Sequence, residues 1–91
     1  MLHGGVVTAA LDEVMAWTAM LLEGVAVVTG TMELRFARPA PVDARYVLEG
    51  RVAERRGRRL MIEGRCLDEG ETAVASASAM FLVSGDIGTA R

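Results

Sequence analysis

Apolar residues crowd the first quarter of this chain with little polar relief. Between Val6 and Leu22 they fall on every side of a helical projection, and no broad polar face is left. That pattern predicts one helix over residues 5–22, and a helix apolar nearly all round is expected to be buried. Gly24 follows directly and suits a left-handed C-cap. The remainder alternates with period two. Met32, Leu34 and Phe36 oppose Thr31, Glu33 and Arg35 within a strand over 29–37, and Tyr46, Leu48 and Val52 oppose Arg45, Glu49 and Arg51 within another over 45–54. Pro39 and Pro41 separate these two, because closely spaced prolines suit a loop and not a central strand. Arg56-Gly57-Arg58 and Asp68-Glu69-Gly70-Glu71 mark turns into strands over 59–68 and 72–83, giving two consecutive antiparallel hairpins. In the last strand Ala73, Ala75, Ala77 and Ala79 line one face; methyl-sized side chains there predict the strip that lies against the helix. The expected fold is α+β in two layers, an antiparallel sheet curled about one central helix. Residues 1–91 form a single domain, and a frayed tail is expected over 85–91.

Composition narrows the class. An apolar fraction of 52 % in 91 residues points to surface hidden in a second copy. A net charge of -2 gives no support to nucleic-acid binding. Asp12 and Glu13 in mid-helix argue against a membrane span, and the lone Cys66 excludes an internal disulfide, so a reducing, cytoplasmic setting is expected with Cys66 as a buried apolar residue. With one His and one Cys, no metal site is expected.

Chemistry concentrates in His3-Gly4-Gly5 and, six residues on, Asp12-Glu13. Charge placed among apolar neighbours is costly unless it is used or paired. Asp12 is the candidate base or nucleophile, whereas Glu13, about 100° further round the helix, reads as a surface or substrate-binding residue. Free backbone N–H groups at the helix start, made accessible by glycine, can polarise a carbonyl. Gly5 and Asp12 lie seven residues apart, roughly 10 Å along the axis, too far to act on one carbonyl within about 3.5 Å. Two helices related by a twofold axis overcome that separation, so a site shared across a homodimer is expected. No partner residue equips His3 for catalysis, which leaves it a turn-holding or substrate-positioning role. Arg56 and Arg58 in the basic turn, and Arg38 beside the prolines, are candidates for binding phosphate groups. Met15, Trp17 and Met20 suit core packing, with an acyl pocket as the other reading.

The order of these segments resembles the hot-dog fold, and within it the PaaI-type acyl-CoA thioesterases. The resemblance rests on His3-Gly4-Gly5 with Leu11-Asp12-Glu13-Val14-Met15, on Glu33 through Pro39, on Glu49-Gly50-Arg51-Val52 with Arg56-Gly57-Arg58-Arg59, and on Gly70 with Ala73 through Phe81. It implies hydrolysis of acyl-CoA thioesters, with coenzyme A as part of the substrate and no separate cofactor. It further implies the Gly4 amide as carbonyl donor, Gly5 shaping the turn, and Thr29, ten residues before Pro39, helping to hold the attacking water, with Thr31 a weaker substitute. It also implies a homodimer, with a dimer of dimers open beyond it. A strand ahead of His3, usual in the family, has no counterpart after Met1-Leu2, so an unpaired sheet edge is expected. The alternative reading is a non-catalytic acyl-CoA-binding module.

Overall fold

The computed structural model describes residues 4–86. One helix, α1 (Gly4–Glu23), is followed by four strands: β1 (Val25–Phe36), β2 (Val47–Arg56), β3 (Arg59–Leu67) and β4 (Ala73–Asp86). The strands form one antiparallel sheet in the order β1-β4-β3-β2, with α1 on one face. This is the expected two-layer α+β arrangement.

Turn chemistry explains the tight connections. Gly24 takes φ +68 and donates its N–H to the Met20 carbonyl at 3.1 Å, so the helix ends and β1 begins within one residue. Gly57 takes φ +59 at the β2–β3 hairpin. At the β3–β4 turn the Asp68 carboxylate accepts the N–H groups of Gly70 and Thr72 at 2.9 and 3.0 Å. Those bonds hold the turn in which Glu71 adopts a positive φ of 64. The proline loop is tied down by the Ala37 N–H donating to the Val74 carbonyl and the Tyr46 hydroxyl donating to Pro41.

The helix corrects one expectation. It is not buried all round within this chain: Val7, Leu11, Met15 and Ala19 form one buried stripe at a spacing of four, while Trp17, Leu21 and Leu22 are 52 %, 73 % and 66 % exposed. A single sheet has one face to offer, so it covers one side of α1 and leaves the other apolar side open. By length and composition α1 is also the one helix among the described residues that could cross a membrane. Met15 lies in the core as expected; Trp17 does not.

Ala75, Ala77 and Ala79 are buried in the core beside Phe81, but Ala73 is only half-buried and β4 is the strand that touches α1 least, which corrects the expectation that the alanine strip lies closest to the helix. The tightest helix–sheet approach lies elsewhere, at the cross-strand pair Gly50 and Gly64. A Cβ on Gly50 would stand 2.1 Å from the Thr18 hydroxyl oxygen, and one on Gly64 would stand 3.0 Å from Met15 Cγ. Glycine inside a strand marks such close approach. The C-terminal end is also corrected: Gly85 and Asp86 pair with Ala26 and Val25 as part of β4, and residues 87–91 lie outside the described residues. β1 likewise begins earlier than its alternating segment, at Val25.

Candidate active site

Asp12 lies half-buried on the flank of α1 that faces β1. The Thr29 hydroxyl donates to Asp12 Oδ1 at 3.0 Å, which is that carboxylate's one polar contact among the described residues. A bulge makes this contact possible. Strict alternation from Met32, Leu34 and Phe36 would put Thr29 on the outer face with Thr31. The β1–β4 register slips between Thr29 and Thr31, so Thr29 pairs with buried Phe81 and Thr31 with Met80 on the far side. Gly30 occupies the slip because a Cβ there would meet Met80 at 2.9 Å from Cε and 3.0 Å from the carbonyl oxygen. The bulge therefore turns Thr29 towards the helix and Thr31 away.

Gly4 opens α1, so its amide has no acceptor within the helix. Its carbonyl accepts the Thr8 hydroxyl at 2.8 Å. A cleft of about 450 Å³ joins Gly4 to Phe36, Arg38 and Pro39, bringing the helix start and Arg38 together. Arg38 also lies 3.9 Å from Asp68. Gly5 follows in the first turn, and His3 lies outside the described residues. Gly4 and Asp12 are eight residues apart, about 12 Å along the axis of one helix. A single chain does not bring them to a common centre.

The remaining candidates fall into two other places. Glu13 is exposed and accepts the Trp17 indole N–H at 3.4 Å. It borders an apolar groove of about 660 Å³, formed by Val14, Trp17, Leu21 and their neighbours against Gly50, on the β2 side of α1 and away from Thr29. Arg56 and Arg58 lie at the β2–β3 hairpin, next to the opposite helix end, where neighbouring Arg55 pairs with Glu23 at 2.9 Å. Arg56 pairs with Glu54, and Arg58 donates to the Val83 carbonyl at 2.9 Å. Within one chain these two arginines stand a helix length, about 28 Å, from Gly4 and Arg38. Burial pushes the Cys66 thiol above its ordinary range and keeps it protonated in the core. Among the described residues no three His, Cys, Asp or Glu side chains gather to hold a metal ion. Gly30, Gly50 and Gly64 were not singled out as site-forming from sequence, although glycine within an alternating strand was the signal available.

A family model of the thioesterase superfamily matches residues 1–75, and the chain belongs to that superfamily. The fold is the hot-dog fold of its solved relatives. A hypothetical thioesterase of Streptococcus pneumoniae TIGR4, solved with coenzyme A, superposes with a TM-score of 0.89 at 15 % identity, over 94 % of this chain and 68 % of that one. A Bacillus halodurans protein solved with CoA gives 0.82 at 21 % identity, over 91 % and 59 %. The PaaI protein of the phenylacetic acid degradation operon of E. coli gives 0.84 at 20 % identity, over 93 % and 62 %. No curated protein matches the sequence.

Proposed function

We propose that the protein hydrolyses acyl-CoA thioesters, with Asp12 as base or nucleophile and the Gly4 amide as donor to the thioester oxygen. The observation that carries this reading is the Thr29–Asp12 hydrogen bond at 3.0 Å, which the bulge in β1 makes possible. Membership of the thioesterase superfamily and the coenzyme A held by the S. pneumoniae and B. halodurans structures support the reaction class. Thr29 fixes one carboxylate oxygen and aims the other. As base, Asp12 takes a proton from water while the water oxygen bonds to the acyl carbon; the C–S bond then breaks, and the thiolate leaves with that proton. As nucleophile, Asp12 bonds to the acyl carbon and expels the thiolate as the C–S bond breaks, leaving a mixed anhydride that water cleaves to the free acid and the restored carboxylate. In both routes negative charge builds on the carbonyl oxygen, where the helix N-terminus is most useful.

The 12 Å offset assigns Gly4 and Asp12 to different thioesters within a chain. A twofold axis on the Asp12–Thr29 flank of α1 would bring the Gly4 of one protomer to the Asp12 of its partner. Arg38, at the Gly4 cleft, is the nearest candidate for the coenzyme A phosphates. The test is thiol release from short-chain and aryl acyl-CoAs. Asp12→Asn and Asp12→Ala should each lose about 10²–10⁴-fold in kcat. Activity that survives both substitutions sinks the assignment, and ligand binding without thiol release by the parent establishes a binding module instead.

A further inference from the structure

Thr29 reaches Asp12 from a short block of β1 whose pairing is displaced at both ends. The β1 residues on the α1 side run Val25, Val27 and Thr29, then Met32 and Leu34, a step of three across Gly30 where a pleated strand steps by two. A second slip lies between Ala26 and Val27. There Ser84 is the extra residue on β4, since Gly85 pairs with Ala26 and Val83 with Val27. The two extra residues, Gly30 and Ser84, sit on opposite strands and cancel. Pairing before Val27 and after Gly30 therefore follows one register, and only Val27–Val83, Val28–Leu82 and Thr29–Phe81 are displaced from it. Carried through without the slips, that register would set Gly30 opposite buried Phe81. Thr29 would then pair with Leu82, which is 38 % exposed on the face away from α1.

We propose that Gly30 is a positioning residue for the reaction: its missing side chain keeps the displaced block seated and so holds the Thr29 hydroxyl on Asp12. This role rests on those proposed above for Asp12 and Thr29. In the displaced arrangement a Cβ at position 30 would stand 2.9 Å from Met80 Cε, 3.2 Å from its Sδ and 3.0 Å from its carbonyl oxygen. The flexible thioether end of Met80 can turn aside. Its carbonyl cannot, because Met80 is paired with Thr31 on one side and with Met61 of β3 on the other. A side chain at position 30 is therefore relieved in one of two ways. Either β1, an edge strand of this sheet, moves off β4, or the block slips into the continuous register, where position 30 faces α1 and Thr29 faces away. Asp12 follows neither movement. The adjoining Leu11 and, one turn on, Met15 are fully buried and fix α1 on the sheet. Both movements break the 3.0 Å bond from Thr29 and leave Asp12, Gly4 and Arg38 where they are.

Gly30→Ala, run as a cycle with Thr29→Val, is the test. Alone it should lower kcat for thiol release about as much as Thr29→Val does, by roughly 10–100-fold, with KM within about twofold of the parent. Added to Thr29→Val it should cost less than about threefold more, because the hydroxyl it acts through is gone. General damage to the fold would multiply instead, setting the double variant as far below Thr29→Val as Gly30→Ala lies below the parent. Urea denaturation gives a second reading that needs no turnover. Asp12→Ala and Thr29→Val should couple by at least about twofold in the unfolding constant with Gly30 present, and should not couple with alanine there. If Gly30→Ala alone does not fold, both cycles are run with Met80→Ala in every chain, which removes the atoms at 2.9 and 3.2 Å and keeps the carbonyl contact at 3.0 Å. Three results overturn the role of Gly30: parental kcat in Gly30→Ala while Thr29→Val is impaired, losses that multiply, or an Asp12–Thr29 coupling that survives the alanine. Parental kcat in Thr29→Val is a different failure, that of the active-site reading, and it takes the role of Gly30 with it.

Discussion

Two variants that are each inactive should recover activity when their chains are mixed. The first is Asp12→Asn, which removes the carboxylate and costs about 10²–10⁴-fold. The second is Gly4→Pro. Proline is accepted at the first helical position, and it deletes the amide hydrogen proposed to bind the developing oxyanion. A Cβ at Gly4 would touch the Phe36 ring at 3.6 and 3.8 Å, an ordinary contact, so the substitution does not displace the helix. Loss of one such donor costs about 10²–10³ in kcat. Within one helix the two groups are about 12 Å apart, so under the proposed mechanism each active site draws on both protomers. A mixed dimer then contains one site with both defects and one with neither. Random exchange makes about half the dimers mixed, each with one good site of two, so thiol release should rise to about a quarter of the parent rate. The assay is refolding of an equimolar mixture carrying two affinity tags, followed by thiol release; double-tag capture shows that exchange has occurred. If exchanged mixtures stay at the level of the separate variants, Gly4 and Asp12 do not meet across an axis.

Thr29→Val keeps the shape and removes the hydroxyl, so kcat should fall by roughly 10–100-fold, the worth of a hydrogen bond to a charged group; Thr29→Ser should regain most of it, with KM little changed. In the core, Gly50→Ala drives a Cβ to within 2.1 Å of the Thr18 hydroxyl oxygen and should lower stability by about 1–3 kcal/mol in urea denaturation. Thr18→Ala, which removes that oxygen, should recover most of the loss in the double variant, and an unchanged midpoint for Gly50→Ala alone would show that α1 does not press on the sheet there. Cys66, its thiol pushed up by burial, stabilises the fold fully below its unfolded value of about 8.5, and that contribution is lost as pH rises through the folded value. Stability should therefore decline at alkaline pH, less steeply in Cys66→Ala, and native Cys66 should resist iodoacetamide at pH 8.

Local patterning carried most of the fold. The helix, four strands, both hairpins and the Gly24 stop are written in spacing that acts over a few residues, and the motif and the resemblance singled out Gly4, Asp12 and Thr29 as candidates. Long-range geometry was not. Period-two alternation counted back along β1 puts Thr29 on the wrong face, and only the pairing with β4 shows that Gly30 is absorbed in a bulge that returns it to Asp12. Likewise, the all-round apolarity of α1 was plain, but it took the sheet to show which stripe is covered and that Trp17, Leu21 and Leu22 stay exposed in this chain. The Arg56–Arg58 turn and Arg38 read alike as phosphate-binding sites. The helix length between them puts Arg38 alone beside Gly4 in this chain. The sequence by itself determined elements and chemistry, because propensity and turn preference depend on near neighbours. Tertiary structure decided which carboxylate meets which hydroxyl, because register and helix–sheet contact depend on residues tens of positions apart.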